Sequence, residues 1–72
     1  MWIFTSNRAI NTDNTIGLFV NDKDVVAFLG PSHDEFTIGC GSHNRAEYIF
    51  KDIISELGKG TLIFNVDRRL SK

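Results

Sequence analysis

Between Trp2 and Val66 the apolar positions recur with two different periods. Over Trp2–Thr5, Thr15–Val20, Val25–Leu29, Glu35–Cys40 and Thr61–Val66 they form short runs or alternations rich in β-branched and aromatic residues, which predicts five strands. From Ala46 the period lengthens. Ala46, Ile49, Phe50, Ile53, Ile54 and Leu57 follow i, i+3, i+4, i+7, i+8, i+11, a single apolar stripe on one amphipathic helix. Glu47 and Lys51 stand four apart on its polar side in the favourable order. Gly58, with Gly60 behind it, is placed to end the helix. The stretches between are turns: residues 7–14, in which Ala9 and Ile10 can extend the first strand; Asn21–Asp24, a hairpin loop; and Gly30-Pro31. The order is ββββαβ, which predicts a small α+β domain over residues 1–72, an antiparallel sheet with the helix packed on one face. Residues 67–72 read as a frayed, charged tail.

The hairpin sets a register. A loop of two or four residues at Asn21–Asp24 puts Val20 opposite Val25, hence Leu18 opposite Ala27 and Ile16 opposite Leu29, and opposed residues share a face. All are apolar, so this face is expected under the helix, joined by Trp2, Phe4, Phe36, Ile38, Leu62, Phe64 and Val66. The other face then takes Phe19, Val26 and Phe28, with Ile3 and Ile63 as further candidates. One helix cannot cover both sides of a five-stranded sheet, so Phe19, Val26 and Phe28 form a candidate interaction surface. A loop or the N-terminal segment folded over them is the alternative.

Composition narrows this picture. At 72 residues the core is near the lower limit of self-sufficiency, so self-association, most simply as a dimer, is expected. Hydrophobic residues at 42% and charged ones at 24% belong to a folded chain rather than a disordered one. A formal charge of −1 supplies no general attraction to nucleic acid or to an anionic membrane. No apolar run approaches the roughly 20 residues of a membrane helix. Met1-Trp2-Ile3-Phe4 gives way to polar residues at Thr5, too short for a signal peptide, so the expected compartment is the cytoplasm. One cysteine excludes an internal disulfide, and with two histidines it makes a poor zinc set; no metal or other cofactor is expected.

Rare residues gather in Ile38-Gly39-Cys40-Gly41-Ser42-His43-Asn44, just before the helix. A nucleophilic cysteine needs a base and a positive field, and His43 with the helix N-terminus offers both. Yet Phe36, Ile38 and Cys40 alternate, which points Cys40 into the core as a structural thiol. Gly39 and Gly41 resemble a phosphate loop only weakly, since no third glycine and no P-loop lysine follows. Their simpler role is to bend a strand into a helix. Ser42 suits the N-cap, with Asn44 the next choice because Asn44 and Glu47 have capping-box spacing. An anion held by Gly41, Ser42, His43 and Asn44 is the functional alternative. His33, Asp34 and Glu35 read as a solvated loop, and Asp13, Asp22 and Asp24 as turn residues. Arg68, Arg69 and Lys72 form a basic tail without interleaved aromatics, a weak nucleic-acid signal.

Trp2-Ile3-x-Thr5 in an opening aromatic strand, then Ile38-Gly39, Ser42, Ala46, Phe50 and Ile53 at loose spacing, are the positions through which the chain resembles a widespread group of very small bacterial and phage-encoded proteins of unknown function. Cys40-Gly41 departs from that group, which often has an aromatic residue shortly before the serine. The resemblance implies a phage, prophage or bacterial accessory protein that acts by binding, and it carries no catalytic residue. The expected function is a non-enzymatic interaction module that self-associates and binds a protein partner, with host machinery as the target such proteins modulate. Binding of a small anion or nucleotide at the strand-to-helix turn, or of nucleic acid at the tail, is the alternative.

Overall fold

A computed structural model describes residues 1–32 and 34–71; His33 of the polar cluster and Lys72 of the basic tail lie outside them. Strand β1 (Trp2–Phe4) turns back into β2 (Ala9–Asn11), and Thr5 N–H donates to the Arg8 carbonyl at 2.8 Å to close the turn. A 3-10 turn at Thr12–Asn14, capped by the Asn11 side chain, carries the chain into the meander β3 (Thr15–Asn21), β4 (Asp24–Leu29) and β5 (Asp34–Gly39). Helix α1 (His43–Gly58) then crosses the core to β6 (Ile63–Asn65) and α2 (Val66–Leu70).

The class is α+β, with the strands divided between two three-stranded sheets, β2-β1-β6 and β3-β4-β5. The first is mixed, because the helical crossover brings β6 in parallel to β1 while β2 is antiparallel to it. The second is antiparallel, and its hairpin has Val20 opposite Val25 and Leu18 opposite Ala27, as the loop length predicts. Ile16 departs from that register. A bulge puts Thr15 opposite Leu29 and Gly17 opposite Phe28, which turns Ile16 out to 61% exposure. Its side chain lies against Gly30, where a Cβ would meet Ile16 Cγ2 at 2.7 Å, so any side chain there would force Ile16 to move.

In β1 the phase is opposite to the expected one. Ile3 is fully buried, whereas Trp2, Phe4 and Leu62 are exposed. The cross-strand rows explain it: Ile3 stands between Ile10 and Phe64, and that apolar row faces the helix. Trp2 stands between Asn11 and Ile63, and Phe4 between Ala9 and Asn65, rows that would bring asparagines inward. From the second sheet the core takes Val25, Ala27, Phe36 and Ile38; from α1 it takes Ala46, Ile49 and Ile53; Cys40 and Val66 complete it.

The helix stripe is covered for only part of its length. Ile54 and Leu57 stay exposed where the C-terminal half of α1 overlooks the bulged end of β3, across an open groove of about 350 Å³ that Ile16 and Leu18 also line. Gly58 is the last helical residue rather than the cap; Gly60, at φ +77°, supplies the left-handed step that ends the helix. The C-terminal segment is ordered as α2, whose first-turn Arg68 N–H donates to the Asn65 side chain at 3.0 Å. Burial of Val66 and partial burial of Leu70 hold it to the body, which corrects the expectation of a frayed tail.

Candidate functional site

At the junction of β5 and α1, alternation carries Cys40 into the core, where burial pushes its thiol pKa up and the nearby Asp24 adds to the shift. Its Sγ donates to the Ile38 carbonyl at 3.5 Å, so the residue is a buried, protonated thiol. Gly41, at φ +90°, makes the bend, and Gly39 ends β5 as an ordinary strand residue. Ser42 is the N-cap: its Oγ accepts from Arg45 N–H at 3.2 Å, while Asn44 is exposed in the first turn.

His43 reaches away from Cys40. Nδ1 lies 2.7 Å from the Asp22 carbonyl on the β3–β4 hairpin, and Nε2 lies 2.6 Å from Glu47 Oε1, the partner expected for Lys51. A neutral imidazole has one donor, so only the imidazolium satisfies both acceptors. The Asp22 carbonyl first, then Glu47, therefore raise the His43 pKa. The helix dipole disfavours a cation at this end, but it acts over a diffuse half charge, and two directed acceptors outweigh it. Together with the bond from Cys40 N–H to the Lys23 carbonyl (3.1 Å), His43 clasps the hairpin to the helix start. Gly41, Ser42, His43 and Asn44 thus build a junction in which the Ser42 hydroxyl and both His43 nitrogens have partners within the chain.

A histidine whose pKa is raised on folding stabilises the fold below its unfolded value and loses that contribution as pH climbs through the folded one. The melting-temperature advantage of the wild type over His43→Ala is expected to be full below pH 6.5, the ordinary histidine value, and to shrink above it. Thermal denaturation of both proteins between about pH 5 and pH 8.5 checks this, and any contribution from His33 cancels in the comparison. An advantage that grows with pH would contradict the clasp.

The second polar cluster pins α2 to α1. Arg69 Nη2 donates to Glu56 Oε1 at 3.0 Å, and Nη1 lies 2.8 Å from Asp52 Oδ2 in a charge contact without a directed hydrogen bond. Glu56 also accepts the Thr61 hydroxyl; that bond, then Arg69, hold its carboxyl below the usual glutamate value. The same guanidinium stands 5.0 Å above the Phe64 ring. Arg69 is therefore engaged within the fold, and of Arg68, Arg69 and Lys72 only Arg68 is an exposed cation among the described residues. Asp52 and Glu56, four apart beside the apolar stripe, are the sequence signal for a cation partner that pattern reading passed over.

The apolar surface is distributed differently from the expectation. Phe19 and Phe28 lie on the outward face of the second sheet with ring centroids 5.3 Å apart, but Val26 between them is only 3% exposed, so it is covered within the chain and does not belong to an open surface. Asp24 and Glu35 share that face, and Ile3 belongs to the core. The first sheet presents the more open surface. Trp2, Phe4, Ile63, Ala9, Asn11 and Asn65 point outward, and none carries a charge. Trp2 is 47% and Ile63 63% exposed, and the Trp2 and Phe4 rings are 6.5 Å apart.

Among the described residues no three His, Cys, Asp or Glu side chains are grouped to hold a metal, and no helix is long and apolar enough to cross a membrane. Comparison with protein-family models, curated proteins and solved structures returned no match to this chain.

Proposed function

We propose that the chain is a non-enzymatic interaction module that self-associates and docks a protein partner on the outward face of the first sheet. The observation that carries this reading is the composition of that face: six outward residues without a charge, with Trp2, Phe4 and Ile63 exposed. Solvated sheet faces of monomers ordinarily carry charged and hydroxyl side chains, whereas interface cores are depleted of charge and enriched in aromatics. Trp2 is the anchor in this reading, since buried tryptophans dominate binding energy at such surfaces. The chemistry around Cys40 points the same way, because a buried, protonated thiol and a histidine with both nitrogens engaged form no nucleophile–base pair. An accessory role in a phage, prophage or bacterial host, as the sequence resemblance implies, is part of the proposal.

Co-purification from the native host, with the wild type and a Trp2→Ser/Phe4→Ser variant in parallel, tests it. The wild type is expected to retain a stoichiometric protein partner that the variant loses, with both chains showing the same circular dichroism. A folded variant that keeps the partner would remove this face, and a wild type that retains none would end the reading.

A further inference from the structure

We propose that two copies of the chain pair through the free edges of their β6 strands, antiparallel about a two-fold axis near Ile63. The inference rests on the reading that the module self-associates, and it assigns the surface. In the first sheet β6 is a terminal strand, with β1 on one side only. Leu62 O accepts from Trp2 N–H at 2.8 Å, and in a parallel ladder the bonding groups alternate along each strand. Ile63 therefore turns both its N–H and its C=O to the free edge, where neither has a hydrogen-bond partner among the described residues.

Side chains repeat the message. Leu62, in the bend before the strand, and Ile63, its first residue, are the most exposed large apolar residues described, at 77% and 63%. Among the described residues nothing covers Leu62. The remaining edges carry protection: β3 has its bulge, β5 begins with Asp34 and Glu35, and β2 faces Asn14 and Leu29 across a small cleft. Strand β6 has no charge, bulge or proline within it, and Arg68 and Arg69 line a cleft beside Ile63 and Asn65.

A second copy meets each of these features. Centred on Ile63, antiparallel pairing lets the two Ile63 residues exchange N–H and C=O bonds. It sets Leu62, just before the strand, opposite the partner's Phe64, which covers Leu62. The outward faces merge into one apolar surface, and Asp67 and Arg68, exposed beside the strand, present both charge signs to a two-fold contact. A three-residue edge with its flanks buries less than the roughly 800 Å² per partner of a standard stable complex, so the dimer is one that dissociates on dilution.

Light scattering and sedimentation over a wide dilution series test the pairing, using the wild type, Leu62→Lys and Phe19→Ser. The wild type is expected to shift from monomer to dimer with concentration. Leu62→Lys, which buries an unpaired charge only in the dimer, is expected to raise Kd at least about tenfold while the dilute monomer melts as the wild type does. Phe19→Ser is expected to dimerise normally. Leu62→Lys dimerising like the wild type, or Phe19→Ser failing to, would overturn the β6 edge and leave self-association standing. A wild type that stays monomeric throughout would overturn self-association, and this pairing with it.

Discussion

Phe64→Ala is expected to leave the domain largely unfolded at 25 °C. Phe64 is the largest fully buried side chain, in the central row of the first sheet beside Ile3 and beneath Arg69. Truncating a buried phenylalanine costs about 3–5 kcal/mol, from lost transfer energy and from a cavity that its neighbours fill only in part. A chain of this length rarely has more than roughly 3–5 kcal/mol in total, so the loss is of the size of the whole. Urea denaturation followed by circular dichroism reads it directly. Phe64→Leu, which keeps most of the volume, is expected to fold with a lowered midpoint, and a Phe64→Ala midpoint near that of the wild type would contradict the packing.

Ile3→Ala is expected to cost about 2–5 kcal/mol, more than truncation of the much larger neighbour Trp2. The ranking inverts what residue size alone would give. Ile3 is fully buried between Ile10 and Phe64, and its loss leaves a void under the helix. Trp2→Ala removes a half-exposed ring whose described aromatic contact is Phe4, a pair worth about 0.5–1.5 kcal/mol. Parallel denaturant titrations of the two variants decide the phase of β1. Should Trp2→Ala prove the more damaging, Trp2 would be the inward residue and the outward apolar face would lose its anchor.

These two substitutions fall where local pattern stopped being informative. A strand of three residues has too few alternations to declare its inward side, and Trp2-Ile3-Phe4 is apolar in both phases. The choice belongs to the neighbouring strands, whose rows pair Trp2 with Asn11 but Ile3 with Ile10. The same limit hid the candidate docking face, because Trp2, Phe4 and Ile63 come from strands far apart in sequence. Arg69 read as part of a free basic tail for a similar reason: its carboxylate partners lie 13 or more residues earlier on α1.

Short-range features, by contrast, were written in the residues themselves. The two apolar periods located α1 and every strand but β2, which lies in a stretch that reads as a turn and folds back on β1 instead of extending it; the two-residue hairpin set the register from Val20 to Leu18, Ser42 capped the helix, and alternation buried Cys40. Each depends on neighbours within a few positions, where backbone geometry alone dictates which side chains share a face. The division into two sheets, the parallel return of β6, the bulge at Ile16, the docking of α2 and the inward side of β1 were settled by the folded chain. Their energies come from rows and ion pairs that exist only once distant segments meet, and no window along the sequence contains both halves of such a contact.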